Sequence, residues 1–452
     1  MNITELSVAD LSALLKKREL TATEVVRACL ERIRATENLN NFITVCEDAA
    51  IAAATEADNA LNRGASTSVL CGVPIAVKDN IATAGIRTTC ASRTLENYVP
   101  SSDAAVVKKL KAAGAIIIGK TNMDEFAMGS TNENSAFGAA KNAKDATRVT
   151  GGSSGGSANC VAARQAFCAI GSDTGGSARQ PAAYCGVVGL KPTFGAIDCD
   201  GLIGFAPSLD CVGLIARDCD DVATLFASLY DGTAGERNKY CGLTEIDLRG
   251  MTVGVADEFM NVEYLDEQAL SAYNRALTAL RDAGAKTVRV GLPSFAAGIA
   301  AYHVISSAEA ANSYKQIKRT MRDGAQTGAE FKRRIITGEY VTDGARYEEL
   351  YVKAARVRAV IRSEYLRALQ TCDVLICPTA PNVAPKIGEK LPPDVSHYND
   401  MYAAPVSLAG LPAVSVPFGT AHGMPVGMQI IGRHNAEYTI LAVGKQLALR
   451  DK

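Results

Sequence analysis

Helical stretches alternate with short strands rich in β-branched residues along most of this chain, and that alternation constrains the fold more than any other feature. A helix over 103–114 leads into a strand over 115–118. Farther along, a strand over 251–255 is followed by a helix near 266–283 and a strand near 286–290. Because such units pack helices against a sheet, the sequence predicts an α/β core.

The two ends of the chain are expected to join the same domain. Residues from about 1 to 65 are predicted to be helical, with Thr21 and Glu24 at the spacing of a capping box. The stretch from about 297 to 370 is charge-rich and helical, which indicates an insertion lying over the sheet. Further strands and a closing helix are predicted over 373–377, 413–416, 426–431 and 436–449. We therefore expect one domain spanning 1–452.

Composition excludes several classes of protein. The 452 residues carry a formal net charge of −1, so no overall basic field attracts nucleic acid. No leader-like or membrane-spanning apolar stretch is found, and a soluble, cytoplasmic protein without membrane contact is expected. The 13 cysteines are predicted to be reduced, buried thiols. A metal site is not expected, because no Cys-x-x-Cys pair occurs and the histidines are scattered: His303, His397, His422 and His434.

Two serine-glycine clusters and one lysine carry the chemistry. The clusters are Gly151–Ser157 and Asp173–Ser177, and Lys78 closes the apolar, β-branched run Val73–Val77. A hydroxyl in a loop that bends tightly, together with a lysine near the core, supplies what nucleophilic attack needs without histidine. The pattern therefore indicates a reaction class as well as a fold.

Ser177 is the candidate nucleophile. A buried strand over 166–170 precedes its loop, and Ser177 is expected to open a helix whose free N–H groups favour developing negative charge. Thr174, Gly175 and Gly176 can direct further N–H groups toward one point, as in an oxyanion hole. One such donor stabilises a transition state by roughly 3–4 kcal/mol.

Ser153 and Lys78 are the candidate proton carriers. Ser153 and Ser154 lie between glycines, where strained backbone such as a non-proline cis peptide is tolerated, and a serine there can relay a proton. Lys78 is the candidate base, since burial at the end of an apolar strand lowers the pKa of a lysine.

Each of these features has a plainer interpretation when taken alone. Serine-glycine clusters are common in flexible turns, and a lysine that ends a strand is often solvated. The segment Gly152–Gly156 also fits Gly-x-Ser-x-Gly, the nucleophile elbow of α/β-hydrolases, with Ser154 as nucleophile. That alternative requires a histidine base farther along the chain.

Taken together, the motifs resemble the amidase signature family. The resemblance is carried by Gly151–Arg179, by its continuation to Thr193, and by the spacing of Lys78, Ser153 and Ser177. It implies a Ser–cis-Ser–Lys triad in which Ser177 is acylated, Ser153 relays the proton and Lys78 is the base. It also implies that family's fold, a single domain with a large mixed β-sheet sandwiched between helices, a core over about 66–230 and the 297–370 insertion over the active site.

Within that family the chain is most similar to the glutaminase subunits of tRNA-dependent amidotransferases. The similarity is carried by Lys78–Ile81, Ile86–Ser92, Gly119–Gly138 and Ser407–Pro412. It implies that Arg358 binds the α-carboxylate of glutamine and that Asp400 binds its α-amino group. A guanidinium binds a carboxylate through two parallel hydrogen bonds, and a carboxylate binds an ammonium group.

The resemblance also implies partners. Ammonia from glutamine would convert Glu-tRNA(Gln) or Asp-tRNA(Asn) to the amidated form in a hetero-oligomer. A tRNA-binding kinase subunit would hold ATP, Mg²⁺ and most of the tRNA, a small linker subunit would join the two, and this chain itself would hold no cofactor. Ile317 stands where the family has an aromatic residue at the ammonia exit, and the chain is shorter than usual. These departures favour one alternative, a stand-alone amidase for another small amide. A second alternative is an inactive assembly subunit, against which the intact Lys78, Ser153 and Ser177 argue.

Overall fold

The described part of the chain contains one large sheet. The computed structural model describes residues 2–65, 68–240, 242–262, 264–317, 326–389 and 399–451. Its strands are β1 Phe42–Val45, β2 Pro74–Lys78, β3 Ile116–Thr121, β4 Cys168–Asp173, β5 Val188–Lys191, β6 Cys211–Ala216, β7 Thr252–Ala256, β8 Lys286–Val290, β9 Val374–Pro378, β10 Ala413–Ala421 and β11 Met424–Ile431. They form a single sheet in the order β1-β3-β2-β4-β6-β5-β10-β11-β9-β7-β8.

Helices surround this sheet. They are α1 Val8–Lys17, α2 Ala22–Ala35, α3 Glu47–Asn62, α4 Ala105–Ala112, α5 Gly155–Ala162, α6 Arg179–Cys185, α7 Cys219–Leu229, α8 Ala234–Asn238, α9 Glu267–Asp282, α10 Ala297–Ile317, α11 Ala329–Thr342, α12 Lys353–Thr371, α13 Ala404–Ala409 and α14 Glu437–Ala448. The capping box predicted at the start of α2 is confirmed, since Thr21 and Glu24 exchange side-chain and backbone hydrogen bonds.

The sheet is mixed, which confirms the predicted fold class. Strand β2 runs parallel to β3 and β4, β7 runs parallel to β8 and β9, and the remaining neighbours are antiparallel. Every residue of β2, β3 and β4 is buried. Helices on both faces account for these nearly continuous apolar runs.

Strands from distant parts of the chain lie side by side in the sheet. Strand β10 pairs with β5, with Ala413 opposite Lys191, and then with β11. The last 40 residues therefore complete the sheet at its centre instead of adding a separate unit, with α14 packed on β10.

The helical stretch after β8 covers the loop that follows β4. Helix α10 packs on α11 and α12. Its Tyr302 lies directly over Gly175, where an added Cβ would meet the ring Cζ at 2.4 Å. The insertion therefore overlies the segment that carries the candidate nucleophile. No helix in the described ranges is long and apolar enough to cross a membrane.

Two local expectations differ from the structure. Residues 42–45 form the strand β1, antiparallel to β3, within the stretch predicted to be helical. A run of Phe, Ile, Thr and Val favours extended backbone, and the neighbouring edge of the sheet provides its partner. Helix α6 begins at Arg179, so Ser177 lies in the preceding turn instead of opening the helix.

Candidate active site

Lys78 reaches the site because it is the last residue of β2, between two parallel neighbours in the sheet. Its side chain is fully buried. The Nζ atom lies 2.7 Å from Ser153 Oγ and 2.8 Å from Ser154 Oγ and from Ser172 Oγ. The amine of Lys78 is thus surrounded by three hydroxyl groups and has no contact with solvent.

The first serine-glycine cluster is held tightly against the core. The Gly152–Ser153 peptide bond is cis. A Cβ at Gly152 would lie 1.9 Å from Asp124 Oδ2, so a residue with a side chain does not fit there. The Gly152 N–H donates to Gln180 Oε1 at 3.0 Å, and the Ser154 N–H donates to the Ser177 carbonyl at 3.0 Å. The second bond joins the two clusters, and the first joins the first cluster to α6.

Asp173, at the end of β4, holds the loop that carries Ser177. Its carboxylate accepts hydrogen bonds from the N–H groups of Gly176 (2.9 Å), Ala178 (3.2 Å) and Arg179 (3.3 Å). It also pairs with the Arg179 guanidinium at 2.8 Å, both side chains being fully buried. The loop is therefore fixed by one charged group, and Ser177 keeps 7% exposure.

Free N–H groups remain in this loop. Among the described residues, the N–H groups of Thr174, Gly175 and Ser177 have no hydrogen-bond partner. Of the three residues expected to form the oxyanion hole, Gly176 differs, because its N–H already donates to Asp173. Thr174 also anchors the loop through its hydroxyl, which donates to Asp210 at 2.6 Å.

Burial alters the protonation of the groups around the lysine. Burial lowers the pKa of Lys78 to about 7, although Asp124, Asp173 and Asp210 oppose the loss of its charge. Burial also raises the pKa of Asp124 to about 6, against hydrogen bonds from Asn132 and Asn134. Near neutral pH a large fraction of Lys78 is therefore uncharged and can accept a proton.

A cavity of about 180 Å³ lies beside the nucleophile loop. Asp400 is in its wall, 3.4 Å from where a Cβ of Gly176 would lie. Arg334 of α11 is another wall residue and is 6% exposed. Asp400 Oδ1 and one Arg334 terminal nitrogen are buried without a hydrogen-bond partner in the described part of the chain. An unpartnered carboxylate oxygen and an unpartnered guanidinium nitrogen thus share one small cavity, although Arg334 Nε is paired with Glu330 at 2.8 Å.

Burial also raises the pKa of Asp400 to about 7, although Arg334 favours its charged form. A buried carboxylate without a donor is unstable as an anion. A ligand that brings an ammonium group to Asp400 and an anionic group to Arg334 satisfies both side chains at once.

The structure does not bring Arg358 to this cavity. Its guanidinium donates to the Leu408 carbonyl at 3.0 Å and to the Ser208 hydroxyl and carbonyl at 2.8 and 2.9 Å. These three bonds hold α12 against α13, which contains Leu408, and against the loop at Ser208. Arg358, expected to bind a carboxylate, therefore lies away from the cavity, whereas the guanidinium of Arg334 is in the cavity wall.

A sequence signal for Arg334 exists. Phe331, Ile335 and Gly338 follow the spacing of one helical face, and all three are buried. Arg334 falls on the same face. An arginine on the apolar face of a helix requires a partner or a function.

The alternative with Ser154 as nucleophile requires a histidine base, and no histidine among the described residues is hydrogen-bonded to Ser154. Ser154 Oγ lies against Lys78 Nζ and the Ser172 backbone, with no histidine bonded to it. His422 is instead paired with Asp266 at 2.7 Å on the surface. His303 lines the 180 Å³ cavity, and His397 lies outside the described residues. Ile317 ends α10, and its side chain also lies outside what the structure describes.

Comparisons with known proteins assign the chain to a family. The family model described as Amidase matches residues 24–441, so the chain belongs to the amidase family. It is accordingly an enzyme that acts on carbon–nitrogen bonds.

Individual relatives and solved structures within this family are similar to the chain over nearly its whole length. In Thermoanaerobacter pseudethanolicus, the glutamyl-tRNA(Gln) amidotransferase subunit designated A is 43% identical over 98% of this chain and 96% of that protein. The crystal structure of the corresponding glutamyl-tRNA(Gln) amidotransferase subunit from Thermotoga maritima is 36% identical, with a TM-score of 0.84 over 100% of this chain and 96% of that one. A solved structure described as an amidase is 29% identical, with a TM-score of 0.88 over 99% and 100%.

Proposed function

We propose that this enzyme is the glutaminase subunit of a tRNA-dependent amidotransferase, and that Arg334 and Asp400 hold glutamine. The observation that carries the proposal is that a carboxylate oxygen of Asp400 and a terminal nitrogen of Arg334 lack hydrogen-bond partners in one 180 Å³ cavity beside the Ser177 loop. An α-amino acid presents an ammonium and a carboxylate on one carbon, which matches this pair. The names of the 41–43% identical relatives support the choice of glutamine-dependent amidation.

The proposed reaction has two halves. Ser177 Oγ attacks the side-chain amide carbon, its proton passes through Ser153 to neutral Lys78, and free N–H groups of the 174–177 loop stabilise the oxyanion. The same proton reaches the leaving nitrogen, and ammonia departs from the acyl-enzyme. Water then attacks the ester and gives a proton toward Lys78; that proton returns to Ser177 Oγ as the ester C–O bond breaks and glutamate is released.

The released ammonia is proposed to serve a second site in a partner. Glu-tRNA(Gln) or Asp-tRNA(Asn) would be amidated there, with ATP and Mg²⁺ held by a tRNA-binding kinase subunit and with a small linker subunit completing the assembly. The names of the relatives, which are those of subunits, support membership in a multi-subunit enzyme. A net charge of −1 also agrees with most tRNA contact lying outside this chain.

Glutamine-dependent ammonia release tests the proposal. The purified chain and its Ser177→Ala variant are assayed for glutamate and ammonia, with and without candidate partner subunits and aminoacyl-tRNA. We expect Ser177-dependent glutaminase activity that rises with partner and tRNA. Turnover confined to other small amides would instead identify a stand-alone amidase, and absence of any Ser177-dependent hydrolysis would identify an inactive assembly subunit.

A further inference from the structure

A buried acid next to Asp124 contacts the helical insertion instead of the triad. Glu125 is 2% exposed. Its Oε2 accepts a hydrogen bond from the Gly328 N–H at 2.6 Å, and its Oε1 accepts one from the Ser92 hydroxyl. Gly328 is the N-cap of α11. A core carboxylate therefore satisfies a backbone donor at the positive end of that helix.

The next residue makes a second contact with the same helix. The ring centroid of Phe126 lies 4.9 Å from that of Phe331, at an interplanar angle of 37°. Phe126 has a φ of 51°, a conformation unusual for an aromatic residue. Glu125 and Phe126, here called the α11 clamp, thus fix the first turn of α11 at two points.

The clamp lies one turn from the proposed substrate grip. Arg334 follows Phe331 by three residues and therefore projects from nearly the same face of α11. Glu330, in the first turn, accepts from Arg334 Nε at 2.8 Å. Because these residues are rigidly linked through the helix, a displacement of the first turn moves the guanidinium within the cavity.

We propose that Glu125 is a positioning residue for substrate recognition, which sets the place of the Arg334 guanidinium by holding the first turn of α11 against the core. This inference rests on the proposed binding of glutamine through its α-carboxylate. Glu125 touches neither the substrate nor the reacting atoms. Its loss therefore affects amides that carry the α-carboxylate and leaves the hydrolytic chemistry intact.

The test compares two substrates. Glutamine carries both α-groups, whereas 4-aminobutyramide has the same chain and ammonium group without the carboxylate. For Glu125→Ala we expect kcat/KM for glutamine to fall at least tenfold, through KM, while kcat/KM for 4-aminobutyramide stays within twofold of wild type. Glu125→Gln retains an acceptor for the Gly328 N–H, and its KM for glutamine should stay within threefold.

Two further variants make the result specific. Gly328→Pro suits the observed φ of −69°, removes the donor N–H and places a Cβ 2.7 Å from Glu125 Oε2, so it breaks the same contact from the other side and should raise KM for glutamine as Glu125→Ala does. Glu437→Ala is a matched control, since Glu437 is 1% exposed and accepts one backbone N–H, that of Thr193, at 2.7 Å. It should change neither KM.

The positioning role is overturned if kcat/KM falls equally for both substrates, or if it is unchanged in either Glu125→Ala or Gly328→Pro. In that case Ser177-dependent glutaminase activity of the wild type still supports the proposed function. If the wild type does not hydrolyse glutamine, the proposed function fails and this inference fails with it. Gly328→Pro decides the question if Glu125→Ala does not fold.

Discussion

At the scale of single residues, Lys78 is the group on which the proposed chemistry depends. An ordinary lysine has a pKa of about 10.4, and deprotonating it at pH 7 costs roughly 4–5 kcal/mol. Burial lowers the pKa of Lys78 to about 7, which removes most of that cost. The three hydroxyl oxygens around Nζ accept hydrogen bonds from the ammonium and still allow a hydroxyl to donate to the neutral amine.

We therefore expect kcat for glutamine hydrolysis to rise with pH through about 7 and to reach a plateau above it, because only neutral Lys78 accepts the proton. Steady-state kinetics between pH 5.5 and 9 measure this profile. Asp400, whose pKa burial raises to about 7, must be ionised to hold the ammonium, so KM should fall over the same range. In Asp400→Asn the KM dependence should vanish and the kcat limb remain; a flat kcat profile in both enzymes would contradict a lysine base.

Arg334 and Arg358 provide a second prediction. Methionine in place of either arginine keeps much of the aliphatic length and removes the charge. Arg334→Met should raise KM for glutamine about 10- to 1000-fold, since a charged hydrogen-bonded contact to the substrate is lost. Arg358→Met should leave KM near that of wild type and lower the unfolding temperature, because α12 loses one bond to α13 and two to the loop at Ser208. A raised KM in Arg358→Met with an unchanged KM in Arg334→Met would instead show that Arg358 binds the carboxylate of glutamine.

The contrast between these arginines shows what sequence reasoning can reach at this scale. Lys78, Ser153 and Ser177 belong to short motifs at fixed spacing, so they could be placed before the structure was known. A substrate-binding site is formed by residues from separate elements, and neither Arg358, on a charged helix, nor Arg334 belongs to a motif of fixed spacing. Only the helical position of Arg334 beside Phe331 and Ile335 marks it as buried.

At the scale of elements, the site forms where neighbouring strands end. Parallel β2 and β4 place Lys78 and the Asp173 loop at the same edge of the sheet. Helix α5 begins directly after the cis-serine loop and approaches the loop backbone closely. A Cβ at its Gly156 would lie 2.5 Å from the carbonyl oxygens of Asn41 and Asn122.

Gly156→Ala should therefore destabilise the enzyme by about 1–3 kcal/mol and lower kcat, because α5 must move away from backbone atoms that cannot yield and carry Ser153 with it. Gly235→Ala is the matched control: Gly235 lies in α8 with no atom within 4 Å of the added Cβ, so stability should be unchanged or slightly higher. Chemical denaturation and glutaminase kinetics measure both effects. Equal stabilities of the two variants would show that α5 accommodates the methyl group.

Most elements could be predicted because their periodicity and caps agree. The strand Lys286–Val290 and the helix Glu267–Asp282 lie within a residue of their predicted bounds. Strand β1 is different, since four residues carry too little periodicity to outweigh helical neighbours on both sides. Its partner, β3, is some 70 residues away in sequence, and local patterns contain no information about that pairing.

At the scale of the whole molecule, Arg179 connects parts of the fold that are far apart in the chain. Besides its ion pair with Asp173, it donates to the Ala403 carbonyl at 3.1 Å, to Ser407 Oγ at 2.8 Å and to Gln429 Oε1. Ala403 also donates its N–H to the Asp400 carbonyl at 3.0 Å. One guanidinium therefore ties the nucleophile loop to the segment that carries Asp400.

Arg179→Met should consequently destabilise the enzyme by about 3–5 kcal/mol, since it leaves the buried Asp173 carboxylate without its counter-ion. Burial opposes ionisation of Asp173, but Arg179 holds the pKa of Asp173 below its usual value. The pair therefore stabilises the folded enzyme fully at pH values above the usual pKa of a carboxyl group, and this stabilisation is lost as the pH falls through the lowered pKa of Asp173. Urea denaturation at pH 7 measures the change.

The cost arises from an uncompensated charge and not from lost volume, so the double variant Asp173→Asn/Arg179→Met should cost less than the sum of the single variants. The exposed pair Arg249–Asp247 is the control, and Arg249→Met should leave the unfolding midpoint unchanged. Because Arg179 also holds the Asp400 segment, Arg179→Met should raise KM for glutamine as well as lower kcat. Additive stabilities with an unchanged KM would mean that the two halves of the site are positioned independently of this arginine.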